Sequence, residues 1–270
     1  MRRDYMAVCG ILAAAFAVFF VLSLVGDVDL GLFKLKGNDM ANAFADRRYP
    51  QALIDSNVID SLDAGSVSGN ARQVILSTSG KTVLLIGDSM LEGLSPRLGA
   101  YCEASGHTLY TVIWYGSTTQ LFSESRLLSD YIATLRPHFI FISLGGNELF
   151  IKDVADTRKQ YVDNIIAEID TIPYLWIGPP NWRKDTGINS LIKGNVRQGT
   201  FFASHGMSFD RKTDGVHPTN ASAALWMDSI IRWMPDSAAF VIPFIIPEKQ
   251  SMRAERIYIH NPGMPTHRPK

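Results

Sequence analysis

Thr82-Val83-Leu84-Leu85-Ile86-Gly87-Asp88-Ser89-Met90-Leu91-Glu92-Gly93-Leu94 runs from an uninterrupted apolar segment into an amphipathic one. The first part predicts a strand buried on both faces, the second the start of a helix. Ser89 falls in the turn between them. A serine there exposes its hydroxyl and points its backbone N–H outward, which suits a nucleophile. Far downstream stands Asp214-Gly215-Val216-His217-Pro218-Thr219. An acid and a base with two residues between them, together with a serine in a strand-to-helix turn, are the parts of a Ser-His-Asp triad.

Outward from this stretch the pattern alternates. Val83–Ile86, Thr108–Trp114, Phe139–Ser143 and Tyr174–Ile177 are short, apolar and rich in β-branched or aromatic residues, as buried parallel strands are. Helical spacing lies between them, over Ser123–Leu135, Asp156–Ile169 and Asn220–Trp233, the last stopping before Pro235. The alternation predicts a three-layer α/β/α domain with a mainly parallel, flavodoxin-like sheet. In such sheets ligands bind beyond the C-terminal ends of the strands. Ser89, Gly116 and Asn147 each follow the end of a predicted strand.

The 270 residues divide into four segments: 1–26, 27–75, 76–238 and 239–270. Met6 to Val25 carries no charge, and at roughly 20 residues it can span a hydrocarbon core as a helix. Arg2 and Arg3 precede it, and Asp27 and Asp29 follow. The positive-inside rule predicts a single-pass anchor in the inner membrane, with the later residues in the periplasm or cell exterior. A cleaved signal peptide is the competing reading, against which stand its usual apolar length of about 7–15 residues and the lack of an A-x-A site. Residues 27–75 read as a stalk or accessory segment, with a short helix around 52–59. The tail, 239–270, is broken by prolines; its apolar part, 241–247, is expected at the domain edge and its end disordered. With 26 basic and 26 acidic residues the chain gives no electrostatic argument for nucleic acid as a partner. Two cysteines make no disulfide framework, and no Cys/His cluster has metal-ligand spacing, so neither metal nor other cofactor is expected.

Four short blocks in order, Gly87-Asp88-Ser89-Met90, Gly116 within Trp114-Tyr115-Gly116-Ser117, Gly145-Gly146-Asn147-Glu148, and Asp214-Gly215-Val216-His217-Pro218-Thr219, make the chain resemble the SGNH hydrolases, the GDSL-type esterase and lipase superfamily. The blocks cover about half the chain. The resemblance implies that Ser89 is the nucleophile, His217 the general base and Asp214 its orienting carboxylate. It also implies an oxyanion hole made by the backbone N–H groups of Ser89 and Gly116 and the side-chain amide of Asn147. Glu148 departs from the commonest third block, Gly-x-Asn-Asp, and is expected to structure its loop. Asp88 is expected to fix the turn as a cap.

Asn181 and Trp182, after the strand ending at Ile177, either line a substrate cleft or pack the loop. Arg183, Lys184, Arg211 and Lys212 either contact an anionic glycan or are solvated charge. His107, His138 and His205 are expected to be structural or surface residues. The resemblance and the anchor together imply a membrane-held serine esterase cleaving small acetyl esters, with O-acetyl groups of peptidoglycan or another envelope polysaccharide as substrate. Two rivals stand beside it: an O-acyltransferase using the same triad with a membrane acyl-donor partner, and a non-catalytic glycan-binding or scaffold module.

Overall fold

A computed structural model of the chain describes residues 28–29, 34–35, 73–78, 80–248 and 256–260. The chain divides into two compact units, Met1–Ser68 and Gly69–Lys270. In the first, β1 (Val28–Asp29) pairs antiparallel with β2 (Lys34–Leu35). The apolar stretch 6–25 and the helix expected around 52–59 lie outside the described residues, as does the end of the tail. Among the described residues no helix is long and apolar enough to cross a membrane.

The second unit is built on six parallel strands in the order β10-β5-β4-β6-β7-β8. These are β4 (Thr82–Gly87), β5 (Thr108–Ile113), β6 (Phe139–Ser143), β7 (Tyr174–Ile177), β8 (Phe201–Phe202) and β10 (Ile257–Ile259). Strand alternation divides the core. Leu84, Ile86, Ile140 and Ile142 join one apolar cluster, while Val83, Leu85, Phe139 and Phe141 join the other. Both faces are therefore covered. One carries α1 (Leu91–Ala104) and α6 (Asn220–Ser237). The other carries α2 (Thr119–Ser125), α3 (Leu127–Leu135), α4 (Val154–Ile169) and α5 (Ile188–Asn195). This is the three-layer α/β arrangement expected from the alternation.

Without β10 the order is second-first-third-fourth-fifth, the flavodoxin-like winding. The connection that leaves β4 runs to β5 on one side and the one that leaves β6 runs to β7 on the other, so the C-terminal ends of the neighbouring β4 and β6 mark the switch point. Gly87 ends β4 there. A Cβ on it would sit 2.0 Å from the Ser143 carbonyl oxygen of β6, so only glycine lets the two strand ends meet.

Three boundaries differ from expectation. The helix expected over 123–135 is two helices, broken at Arg126 with φ 59°. Ser125 causes the break: its hydroxyl donates to the Phe122 carbonyl and accepts from the Leu127 N–H, replacing the helical ladder locally. Helix α6 continues through Pro235 to Ser237 rather than stopping before it. The loose carbonyls of its end are capped by Gln73 Nε2, which donates to Met234, Pro235 and Ala238 at 3.3, 3.0 and 2.8 Å. The tail enters the fold. β9 (Phe240–Val241) pairs parallel with β3 (Val74–Ile75), and Ile257–Ile259 forms the sheet's edge strand beside β5.

Candidate active site

Ser89 lies immediately beyond β4, before the first turn of α1. That turn is tight: the N–H groups of Leu91, Glu92 and Gly93 donate to the carbonyls of Asp88, Ser89 and Met90, each at 3.2 Å. The buried Asp88 carboxylate accepts the Met90 N–H at 3.0 Å and so fixes the turn, as expected, but it does not cap the helix: the N-cap position is Met90, without a side-chain cap bond. Burial pushes its pKa up to about 7, against the opposing pull of that backbone bond.

The second segment is a hairpin. Arg211 bridges Pro218, the Lys212 N–H donates to the His217 carbonyl at 2.8 Å, and the Thr219 N–H donates to Asp210 at 2.8 Å. Gly215, with φ +67°, lets the tip turn back on itself. Asp214 Oδ1 accepts the N–H groups of Val216 and His217 at 2.8 and 3.0 Å, and its Oδ2 accepts from His217 Nδ1 at 2.7 Å. The other ring nitrogen, Nε2, stands 2.8 Å from Ser89 Oγ. With the proton on Nδ1, Nε2 is free to accept from the hydroxyl. The His217 side chain and the two backbone donors hold the Asp214 carboxyl well below the usual carboxylate range, although it is exposed. Ser89, His217 and Asp214, predicted from sequence, are brought together.

The three donors predicted for an oxyanion hole come from adjacent segments. The N–H groups of Ser89 and Gly116 make no hydrogen bond among the described residues. Gly116 is exposed, with φ +69° and open space where a Cβ would stand. Asn147 opens the 3-10 turn Asn147–Phe150, and its Nδ2 donates to the Ser117 carbonyl at 2.8 Å. That bond takes one of two amide hydrogens and ties the side chain to the turn carrying Gly116. Glu148, fully buried, accepts the Thr119 N–H and joins the same two segments from beneath. It structures its loop, as expected, and burial raises its pKa.

Trp182 reaches the site's edge, its Nε1 donating to the Gly146 carbonyl at 3.3 Å. Asn181 turns elsewhere: its side-chain oxygen accepts from Asn189 Nδ2 at 2.9 Å, which gives it a loop-building role. Sequence reasoning missed Arg211 as a clamp, having set it among contacts to a glycan or solvated charge. Its guanidinium is half-buried and donates to the carbonyls of Val216, Pro180 and Asn181, so it locks the histidine hairpin to the Trp182 loop. It also missed Glu92, which accepts from Tyr115 Oη at 2.5 Å and faces Lys212 Nζ at 3.9 Å. No sequence signal marks either group, since the partners are far apart in the chain. His107 and His138 take backbone N–H groups, from Lys81 at 3.2 Å and Thr82 at 3.1 Å, and serve as structural ties. Among the described residues no three His, Cys, Asp or Glu side chains gather as metal ligands.

No protein-family model matches the chain, and no curated protein matches it in sequence. Among solved structures it is similar to a psychrotrophic esterase, EstA, from Pseudoalteromonas sp., at 19% identity and TM-score 0.42, over 58% of this chain and 100% of that one. It is similar also to a family 3 carbohydrate esterase of Clostridium thermocellum, at 18% identity and TM-score 0.44, over 58% and 96%. A third is the lipase/acylhydrolase from Enterococcus faecalis, at 17% identity and TM-score 0.43, over 56% and 94%. Similarity this distant assigns neither a family nor an activity to the chain.

Proposed function

We propose that the chain is a serine ester hydrolase acting on small acyl esters through an acyl-serine intermediate. The observation that supports this best is the continuous relay from Asp214 Oδ2 through His217 to Ser89 Oγ, at 2.7 and 2.8 Å, beside unspent backbone N–H groups. His217 Nε2 takes the hydroxyl proton as Oγ attacks the ester carbonyl carbon. Negative charge moves to the carbonyl oxygen, where the N–H groups of Ser89 and Gly116 and the second Asn147 amide hydrogen donate to it. The C–O bond to the alcohol breaks, and His217 returns the proton to the leaving alkoxide. Water repeats the sequence on the acyl-enzyme and releases the carboxylic acid. Asp214 keeps the imidazole in the required tautomer and stabilises the imidazolium.

The substrate class proposed is the O-acetyl ester of an envelope polysaccharide, peptidoglycan among them. This rests on the SGNH-like blocks and on the apolar stretch 6–25 with its arginine flank, which supports a domain held outside the cytoplasm. Turnover of p-nitrophenyl acetate by the full-length chain tests the chemistry. Ser89→Ala is expected to lower kcat by several orders of magnitude, up to about 10⁶-fold. Negligible turnover by folded parent protein would overturn the hydrolase reading. Acetyl groups passed to an added glycan, rather than released as acetate, would move it to acyl transfer.

A further inference from the structure

Phe150 ends the turn that Asn147 opens, yet its side chain is left 64% exposed. Trp182 meets it edge to face, with centroids 5.1 Å apart. The Arg183 guanidinium lies 4.6 Å from the Phe150 ring centroid and 5.5 Å from that of Trp182. The Trp182 bond to the Gly146 carbonyl fixes this group to the segment that carries Asn147. Among the described residues no carboxylate pairs with Arg183. The result is an exposed Phe150 ring beside the half-buried Trp182, with a cation that no described carboxylate neutralises held against both, three residues from Asn147.

The chemistry of that surface selects its ligand. Exposed aromatic area accepts the C–H-rich face of a pyranose. A guanidinium set against two rings presents a fork that matches a carboxylate. A hydrocarbon chain fits poorly, because covering the rings would strip water from a cation that has no carboxylate among the described residues. We propose that Phe150, Trp182 and Arg183 form a subsite for a carboxylate-bearing sugar, the alcohol portion of the ester that Ser89 attacks, an assignment that rests on the ester-hydrolase reading.

Calorimetric titration of the full-length Ser89→Ala chain with oligogalacturonate, and with a neutral manno-oligosaccharide of equal length, tests it. Oligogalacturonate is expected to bind about tenfold more tightly than the neutral oligomer, the value of one charge-assisted contact. Arg183→Gln should abolish that preference, Arg183→Lys should restore only part of it, and Phe150→Ala should weaken both ligands. Phe150 and Arg183 are exposed, so thermal unfolding of each variant should match the parent. Absence of oligogalacturonate binding, equal binding of the two oligomers, or a preference unaltered in Arg183→Gln would overturn the subsite. So would a chain-length preference among p-nitrophenyl esters that Phe150→Ala removes, since the rings would then hold the acyl group. Turnover of p-nitrophenyl acetate by the parent judges the hydrolase reading separately, whichever way the titration falls.

Discussion

Ser89, His217 and Asp214 form the relay, but buried carboxyls beneath them hold the donors in place. Asp88 has a folded-state pKa of about 7 against an ordinary value of 3.8. Between those values the unfolded chain has lost a proton that the folded chain keeps, so stability falls as pH rises through that window. The neighbouring Glu148, also raised by burial, adds to the slope. Asp88→Asn keeps an acceptor for the Met90 N–H and has no proton to lose. Its unfolding free energy is expected to vary less than the parent's between pH 4.5 and 8, as read by urea melts at both values. Glu148→Ala leaves the Thr119 N–H buried without an acceptor. A loss of roughly 1–3 kcal/mol of stability is expected. kcat should fall more than KM rises, because the Gly116 and Asn147 segments lose their tie, and Glu148→Gln should recover much of both. The triad and the turn-fixing role of Asp88 are legible in sequence, because short motifs fix their local geometry. Arg211 and Glu92 are not, because their partners are brought to them only by tertiary folding.

Helices α1 and α6 bring the nucleophile and the base together, since Ser89 precedes one and His217 the other. They lie close: a Cβ added at Gly93 would stand 2.6 Å from the Ala223 Cβ. Deeper along the same pair, Arg97 Nε donates to Asp228 at 2.6 Å, and Tyr101 Oη donates to it at 2.8 Å, all buried. Asp228→Ala leaves the guanidinium buried without its carboxylate. A loss of about 3–5 kcal/mol is expected from chemical denaturation. Gly93→Ala must spread the helices, with an expected cost of about 1–3 kcal/mol and a drop in kcat as His217 moves from Ser89. β4, β6 and β7 are readable in sequence because each is a largely apolar run buried on both faces, and β5 because it is rich in β-branched and aromatic residues, although its first half is only part-buried. The break at Arg126 escapes periodicity, since the residues on both sides keep helical spacing and one serine hydroxyl makes the difference. β10 is three residues long with two exposed isoleucines, and its pairing with β5 leaves no local pattern.

The unit Gly69–Lys270 sets the relay at the switch point of a parallel sheet and covers the β5 edge of that sheet with a segment from the C-terminal tail. β10 covers β5, Tyr258 stacks on Tyr110 at 6.3 Å, and His260 meets Trp114 edge to face at 4.5 Å, two residues before Gly116. Truncation after residue 248 is expected to lower the melting temperature and to promote association through the bared β5 edge, read by calorimetry and light scattering. The central claim is that one serine, activated by one histidine, is the reactive group of this site. A fluorophosphonate probe followed by peptide mapping tests it most directly. The triad predicts phosphonylation of Ser89 alone, lost in Ser89→Ala and strongly slowed in His217→Ala. Folded protein that stays unlabelled, or that labels at another residue, would contradict it.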